Sequence, residues 1–397
     1  MRFAAQTILT VIMLCGCVVT AQADYDAGLH AYSEGDYASA IREFRTDGSG
    51  KALYQLGQMY MNGKGVRQPD PKQALGWFRK SAELGFARAQ FTLGMLYTIG
   101  DVVRPDKHEA VKWFRKAADQ GIADAQYQLG RLYYRGDGVG LDKWEAAKWY
   151  QKAAVQGLIP AQVSLALMLE RGDGVTPDKH QAAKWYQRAA VRGNAQSQLA
   201  LGAMYESGEG VPLDKKEAFK WYHKAAEQKN SRAQHKVADA YATGDGVAQD
   251  KKEAIRWYRL AAERNERDSL VALALAYYYG DGVTQNFKES ARWFRKAAKR
   301  GDSEAQYNLG HLYEYGKGVK EDYREAAKWY RKSAEQGFAQ AEFSLGLLYY
   351  NGKGVRLNRE EAVGLFIKAA DQGHEEARRT LDVIGRHILM EKSYRQP

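Results

Sequence analysis

Tryptophan recurs in this chain at a fixed interval of 36 residues. Leu365 takes the equivalent place in one further copy, and only Trp144 lies out of phase. A period of about 20 to 50 residues is typical of repeat proteins, in which each unit buries its apolar face against its neighbours. The period therefore predicts a chain that grows by stacking similar units, without the size limit of a single core. The regularly spaced residues are Trp77, Trp113, Trp149, Trp185, Trp221, Trp257, Trp293 and Trp329.

Each copy has the pattern of two helices joined by a short turn. In one copy, the apolar or small residues Ala125, Leu129 and Tyr133 share one face of a first helix. Asp142 then provides an N-cap for the second helix, and Glu145 three residues later predicts a capping box. The same pair recurs as Asp70/Gln73, Asp106/Glu109, Asp178/Gln181, Asp214/Glu217, Asp250/Glu253, Asn286/Glu289, Asp322/Glu325 and Asn358/Glu361.

Small residues mark two further positions of the repeat. Gly130 and its equivalents on the first helix are all Gly or Ala, which predicts close approach of the paired helix. The glycine that ends the second helix is replaced by Lys229 and Asn265 in two copies. Because Asn tolerates the left-handed conformation better than Lys, we expect the turn near Lys229 to use Asn230 instead. We also expect a local change of superhelix geometry or mobility between residues 226 and 270.

The recurring positions resemble a known family pattern. They are Ala125, Leu129-Gly130, Tyr133, Gly136-x-Gly138-Val139, Asp142, Ala146, Trp149-Tyr150 and Ala153-Ala154. This run closely resembles the Sel-one-like repeat, a relative of the tetratricopeptide repeat. The resemblance implies an all-α fold, a right-handed α/α solenoid of tandem antiparallel helix pairs whose first helices line a concave groove for protein partners. It implies an adaptor and not an enzyme, and it implies no cofactor.

Four segments follow from these patterns. Residues 1–23 are predicted to be a signal peptide, and residues 24–50 a tetratricopeptide-like capping helix pair. About nine Sel-one-like repeats cover residues 51–373. Residues 374–397 are predicted to form a C-terminal capping helix and tail, with apolar residues on one side and charges on the other.

The N-terminus has the features of an export signal. Arg2 precedes an apolar run over residues 8–19, and Ala21-Gln22-Ala23 is a small-x-small cleavage site. The apolar run is too short to be preferred as a permanent membrane span. We therefore expect a periplasmic or secreted protein without a transmembrane span after cleavage. The alternative is a membrane-anchored lipoprotein, because Leu14-Cys15-Gly16-Cys17 resembles a lipobox in which Cys17 would carry the lipid.

Both cysteines of the chain lie inside this signal. Cleavage before Asp24 would leave no thiol, which excludes disulfides, thiolate metal sites and cysteine nucleophiles from the mature chain. Some exported, cysteine-rich relatives in the family bind or hydrolyse β-lactams, but they carry a disulfide in each repeat and match this chain poorly. The eight histidines are dispersed, so no metal site is predicted. The inter-helix turns hold Asp, Glu or Lys at one position, which favours helix capping over calcium binding.

The net charge of the full chain is +11, of which Arg2 contributes one. This excess favours anionic partners such as acidic proteins, envelope polymers or membrane surfaces, whereas export argues against nucleic acid. Basic residues precede each tryptophan or follow it by three positions on the second helix. We interpret them as a solvated outer face whose long side chains cover the indoles, with an anion-binding ridge as the alternative.

Comparison of the copies separates scaffold from recognition. Positions that change between copies while lying on the first helix are candidates to face the groove, by the geometry expected of tetratricopeptide-like pairs. Tyrosines dominate these positions in the C-terminal half and are suited to binding hot spots, although they could equally fill gaps between repeats. The candidates are Arg131, Tyr134, Arg135, Glu170, Arg171, Glu206, Asp239, Tyr278, Tyr279, His311, Glu314, Tyr315 and Tyr350.

Three functions compete at this point. The first is an exported scaffold that binds a partner protein or peptide in the groove. The second is a cell-wall or β-lactam hydrolase, although no catalytic signature stands out in the sequence. The third is a binder of anionic envelope polymer or of a membrane surface through the basic flank.

Overall fold

The computed structural model describes residues 25–393, with the side chains of residues 25–385. The predicted signal peptide, the alternative lipidation site at Cys17 and the tail residues 394–397 lie outside the described residues. Within the described part, no helix combines the length and the apolar character that a membrane crossing requires.

All regular secondary structure in the described residues is helical, and it divides into two compact units that meet in sequence at Arg192 and Gly193. The first unit contains α1 (25–33), α2 (Tyr37–Asp47), α3 (Gly50–Asn62), α4 (Pro71–Glu83), α5 (Ala87–Ile99), α6 (Lys107–Asp119), α7 (Ala123–Arg135), α8 (Lys143–Val155), α9 (Ile159–Arg171) and α10 (Lys179–Val191).

The second unit contains α11 (Ala195–Ser207), α12 (Lys215–Glu227), α13 (Ser231–Thr243), α14 (Lys251–Glu263), α15 (Arg267–Tyr279), α16 (Phe287–Ala298), α17 (Ser303–Glu314), α18 (Tyr323–Ala334), α19 (Ala339–Asn351), α20 (Arg359–Asp371) and α21 (Glu375–Ser393). From α2 to α10, and again from α11 to α21, each helix packs against its neighbours in sequence. This is the all-α solenoid architecture that the period predicts.

The predicted N-caps are present in every copy. The side chain of Asp142, for example, accepts a hydrogen bond from the N–H of Glu145 (2.9 Å), and its eight equivalents do the same. The prediction that Glu145 completes a capping box by accepting from the backbone N–H of Asp142 is wrong. The backbone N–H of Asp142 instead donates to the carbonyl oxygen of Tyr133 on the first helix (3.0 Å), which ties the two helices together. Glu145 is left to pair with Lys148 at 3.3 Å.

Small residues on the first helix admit an aromatic ring from the second, as predicted. A Cβ atom on Gly130 would lie 2.7 Å from the ring of Tyr150, and one on Gly310 would lie 2.7 Å from the ring of Tyr330. The aromatic residue that follows the tryptophan is therefore buried in every copy except that of Tyr258, which is half-buried. Tyr330 is fully buried, whereas its neighbour Trp329 is 7% exposed.

The tryptophans lie nearer the surface, beneath basic side chains. Trp113 and Trp185 are half-buried, and the ammonium of Lys116 and the guanidinium of Arg188 lie 4.3 and 4.4 Å from their ring centroids. A cation three residues after the indole makes this contact in seven copies, and such contacts contribute about 0.5–1 kcal/mol each at exposed sites. The contacts agree with the interpretation that these side chains cover the indoles.

The second glycine of the turn, which is present in every copy except the one with Val102, packs against the previous repeat. Gly138 has a positive φ of 69° and a Cβ there would overlap the backbone of Lys107. Gly318 stands in the same relation to the backbone of Phe287. The G-x-G pattern is thus required twice, once to end the first helix and once to let repeats stack closely.

A ladder of buried amides also links successive repeats. Gln126 donates to the carbonyl oxygen of Ala118 (3.1 Å) and accepts from Gln156 of the next repeat (2.8 Å). The arrangement recurs at Gln90 and Gln306. It fixes the spacing between repeats because a buried amide left without a partner is costly.

The expected shift of the turn from Lys229 to Asn230 is wrong. Lys229 itself takes the left-handed conformation (φ 67°), as Asn265 does (φ 64°). Asn230 is not free to do so, because its side chain caps α13 by accepting from the N–H of Ala233 (3.0 Å). The helices on both sides keep the usual length of 13 residues.

The ends of the chain close the core with less regular pairs. In α1, a Cβ on Gly28 would lie 2.6 Å from the ring of Phe44 in α2, so this pair packs as the repeats do. At the other end, α21 buries Ala377 and packs Leu381 against Ala369 and Ala370.

Candidate partner-binding surface

The residue at the end of each first helix, which in α17 is the C-cap residue Tyr315, forms a variable exposed row in the repeats. Its side chain is exposed in every copy, while its type changes from aliphatic to basic, small polar or aromatic. Variation with constant exposure is the behaviour expected of a recognition surface. The row consists of Asn62, Ile99, Arg135, Arg171, Ser207, Thr243, Tyr279, Tyr315 and Asn351.

The predicted groove carboxylates are engaged by the scaffold. Glu170 and Glu206 accept hydrogen bonds from the hydroxyl groups of Tyr186 and Tyr222, both at 2.7 Å. Burial, reinforced by these bonds, raises the pKa of both tyrosines well above the usual value. Glu314 receives the same bond from Tyr330 (2.6 Å) and Asp239 receives one from Tyr258 (2.6 Å). These carboxylates therefore already accept hydrogen bonds from buried hydroxyls, and a partner that bound them would compete with those bonds.

A signal for these pairs was present in the sequence and was missed. Where the first helix carries Glu170, Glu206 or Glu314, the aromatic residue sixteen positions later is tyrosine. Where it carries Thr98 or Tyr350, that residue is phenylalanine, which needs no acceptor. The covariation is partial, because Tyr150 and Tyr258 lie sixteen positions after Tyr134 and Ala242, and Tyr258 donates to Asp239 instead.

In the first unit, Tyr134 belongs to a contact between repeats. Its hydroxyl donates to Asp173 (2.5 Å), and Lys143 pairs with the same carboxylate (2.5 Å). The bond to Asp173 raises the pKa of Tyr134. Arg131 is held half-buried by Gln128 (3.0 Å). Of the predicted residues in this unit, only Arg135 and Arg171 are exposed.

In the second unit, three of the predicted tyrosines form one aromatic group with His311. The ring centroids of Tyr278 and Tyr279 are 4.9 Å apart, and those of His311 and Tyr315 are 4.6 Å apart. Tyr278 links the two pairs through His311 at 6.3 Å. Tyr279 is 71% and Tyr315 58% exposed, whereas Tyr278 and His311 are half-buried. Burial and the charge of Lys317 lower the pKa of His311, so its ring is neutral at physiological pH.

Tyr350 lies apart from this group. Its ring is half-buried, with a centroid 6.4 Å from that of Phe366 and 5.4 Å from the guanidinium of Arg359. It fills space between α19 and α20 more than it presents a surface.

One group of residues in the described part has the composition of a metal site. Ligand atoms of His235, Glu266 and Asp268 lie within 4.8 Å of one another, which the dispersed sequence positions did not indicate. The ring nitrogens of His235 are engaged, however, with Ser269 (2.8 Å) and with Asp239 (3.3 Å). Glu266 also caps α15 through the N–H of Ser269 (2.7 Å). Local structure accounts for the arrangement.

The chain resembles solved structures of known repeat proteins over most of its length. It is 35% identical to c5321, a protective antigen of uropathogenic Escherichia coli strains with an SLR fold, covering 94% of this chain and 88% of that one with a TM-score of 0.65. It is also 35% identical to a Sel1 repeat protein from Oxalobacter formigenes, covering 78% and 90% with a TM-score of 0.64. No match was found among curated protein sequences.

The model of the Sel1 repeat matches nine consecutive segments, and the borders between them fall at the turns that precede first helices. The segments are residues 50–86, 87–122, 123–158, 159–194, 195–230, 231–266, 267–302, 303–338 and 339–374. Together with the helix pairs and the two similar structures, this places the chain in the Sel1 repeat family.

Proposed function

We propose that the protein is an exported scaffold that binds partner proteins or peptides along the surface formed by its first helices. Sel1 repeat proteins are generally protein-interaction scaffolds, and the family is generally non-catalytic. The observation that carries the proposal is the row of residues that ends the first helices, which stays exposed in every copy while its chemistry changes. Within that row, Tyr279 and Tyr315 provide the large amphipathic side chains typical of binding hot spots.

An exported location is supported by the signal pattern in residues 1–23. The test is the N-terminal sequence and intact mass of the protein purified from its source. Cleavage at the predicted site gives a chain that begins at Asp24. A mass that includes a lipid on Cys17 would support the lipoprotein alternative, and an uncleaved N-terminus would contradict export.

Partner binding is tested by affinity capture from the envelope fraction of the producing organism. The full chain is expected to retain a specific protein, and the double variant Tyr279→Ala/Tyr315→Ala to lose most of it. The matched control is Ser207→Ala/Thr243→Ala, which changes the same row in two other repeats and should retain the partner. Equal retention by both variants, or no protein above the bare resin, would contradict the proposal.

The hydrolase alternative predicts turnover of a chromogenic β-lactam or of peptidoglycan, and we expect none. The polymer alternative relies on the basic flank of the second helices. There, Lys112 and Lys328 pair with Glu109 (2.6 Å) and Glu325 (2.9 Å), and four equivalent cations do the same, which offsets much of the positive charge. The groove is therefore the better candidate for the working surface.

A further inference from the structure

A row of ion pairs joins the turn of one repeat to the second helix of the repeat before it. The Asp between the two glycines of a turn contacts the Lys that follows the N-cap thirty residues earlier. The pairs are Lys107–Asp137 (2.5 Å), Lys143–Asp173 (2.5 Å), Lys215–Asp245 (2.8 Å) and Lys251–Asp281 (2.7 Å). Each pair is neutral and lies where two repeats meet.

The last two turns replace this pair by a lysine against an aromatic ring. Lys317 takes the place of the Asp, and the partner position holds Phe287, whose centroid is 5.6 Å from the ammonium. In the next turn, Lys353 lies 5.1 Å from the centroid of Tyr323. Among the described residues, no carboxylate lies within 4.0 Å of either ammonium group. The exchange keeps the contact between repeats and leaves two positive charges uncompensated.

The exposed residue Tyr315 belongs to the aromatic group that Lys317 contacts. Lys317 donates to the hydroxyl of Tyr278 (2.9 Å), next to His311 and Tyr315. Tyr315 is 58% exposed. Glu314 and burial raise the pKa of Tyr315, and the charges of Lys317 and Lys353 oppose that rise.

The charge of the turns reverses along the second unit. The turn before α14 carries Asp245 and Asp250 without a cation, whereas the turn before α20 carries Lys353 and Arg356 without a carboxylate. All four side chains are exposed. Within the second unit, lysine therefore occupies this turn position only in the last two repeats, and the first of these two turns also carries Glu321 and Asp322. In the first unit, Lys64 lies against the ring of Tyr37 in the same way (5.1 Å).

We propose that Tyr315, Lys317, Lys353 and Arg356, here called the cationic edge, bind a short acidic peptide segment of a partner protein. The inference rests on the proposed scaffold function and names the chemistry of its partner. The Tyr278 hydroxyl uses one donor of the Lys317 ammonium, and the other two are available to carboxylates. Tyr315 adds an amphipathic contact of the kind that anchors peptides.

The limited length of the cationic edge favours a peptide over a long polyanion. A uniform polymer that continued along the row would meet the neutral pairs of Asp281 and Asp245, which offer it no net positive charge. A segment with a few acidic residues would meet only the cations.

The test reverses the replacement of the Lys–Asp pairs by lysine–aromatic contacts in the last two turns. The variant Phe287→Lys/Lys317→Asp/Tyr323→Lys/Lys353→Asp restores the Lys–Asp pairs of the earlier repeats, and Tyr278 would then donate to Asp as Tyr134 does. It should fold with unchanged helicity and nearly unchanged thermal unfolding. The probe is a fluorescein-labelled peptide of four Asp-Glu-Leu triplets, followed by anisotropy at two salt concentrations.

We expect salt-sensitive binding of this peptide to the wild-type chain and at least about tenfold weaker binding to the restored variant. A Lys-Lys-Leu peptide should bind to neither. Equal binding of the acidic peptide to both chains, or none to the wild type, would overturn the cationic edge. Preference for dextran sulfate or for phosphatidylglycerol vesicles over the peptide, with loss in the restored variant, would overturn it in favour of a polymer or a membrane surface. Capture of a partner through Tyr279 and Tyr315 would still support the scaffold function if the peptide experiment failed. The failure of one proposal can therefore be distinguished from the failure of the other.

Discussion

Glu342 replaces, in the last repeat, the glutamine that other first helices bury at the same position. It is only 4% exposed and accepts a hydrogen bond from Gln372 (2.7 Å), the equivalent of the bond between Gln156 and Gln126. Burial raises the pKa of this carboxyl above its usual value. The protonated acid has the donor that a glutamine would offer here, and the carboxylate has none.

This environment predicts a pH-dependent stability that Glu342→Gln removes. Because the folded pKa lies above the unfolded one, the folded state holds the proton more tightly, and stability falls as the pH rises through the folded pKa. At neutral pH the variant should be more stable by about 1 kcal/mol. The gain should shrink as the pH is lowered towards the usual range of a carboxyl. Urea unfolding of both proteins across this range measures it, and an equal gain at every pH would contradict the assignment.

Gly318 is expected to be far less replaceable than another glycine with the same backbone conformation. Gly318→Ala adds strain at a φ of 69° and brings a Cβ against the backbone of Phe287, which cannot move without separating two repeats. Gly337→Ala adds strain at a φ of 79° but meets no atom within 4 Å. We expect a loss of about 1 kcal/mol for Gly337→Ala and clearly more for Gly318→Ala. Similar losses in thermal unfolding would show that repeat stacking does not require the second glycine.

Between helices, the amide ladder explains two buried acceptors that have no donor. The side-chain oxygens of Gln162 and Gln234 are buried without a partner. In the other repeats with this glutamine or its Glu342 equivalent, a second glutamine thirty residues later donates to it, but here that position holds Arg192 and Arg264. The missing donor follows directly from these two substitutions.

Arg264→Gln should therefore stabilise the second unit. The new amide would donate to Gln234 as Gln336 donates to Gln306 (2.8 Å), for a gain of about 1 kcal/mol in urea unfolding. Gln336→Ala, which removes an existing donor, should lose a similar amount. If Arg264→Gln left the stability unchanged while Gln336→Ala lowered it, water would already satisfy Gln234.

For the whole chain, the closing helix α21 is expected to maintain solubility as well as stability. A solenoid leaves the apolar face of its last repeat open unless a cap covers it. Removal of residues 375–397 would uncover Ala369, Ala370 and Phe343, which pack with α21. We expect a lower temperature of thermal unfolding and self-association in size-exclusion chromatography. Removal of residues 394–397 alone is the control and should change neither property.

The fold could be predicted from the sequence because the same helix and turn signals recur in nine copies. Each copy repeats the N-cap, the first turn glycine and the aromatic stripe, and all but the copy with Val102 repeat the second turn glycine, so the helix pairs and their borders could be predicted from spacing alone. Capping and turn preferences act over a few residues, and sequence contains that information in full. The prediction of a capping box was wrong because the N–H of Asp142 donates to the carbonyl oxygen of Tyr133 on another helix.

The binding surface depended on contacts that sequence spacing does not reveal. Glu170 and Tyr279 are both variable first-helix positions, but the first is held by a buried hydroxyl and the second points to solvent. Likewise, Lys317 differs from a solvated surface lysine only because Phe287, thirty residues away, has replaced a lysine beside it. Periodicity determined which residues could build a solenoid. The packing of one repeat on the next determined which side chains remain available to a partner, because burial and charge compensation are properties of the assembled array.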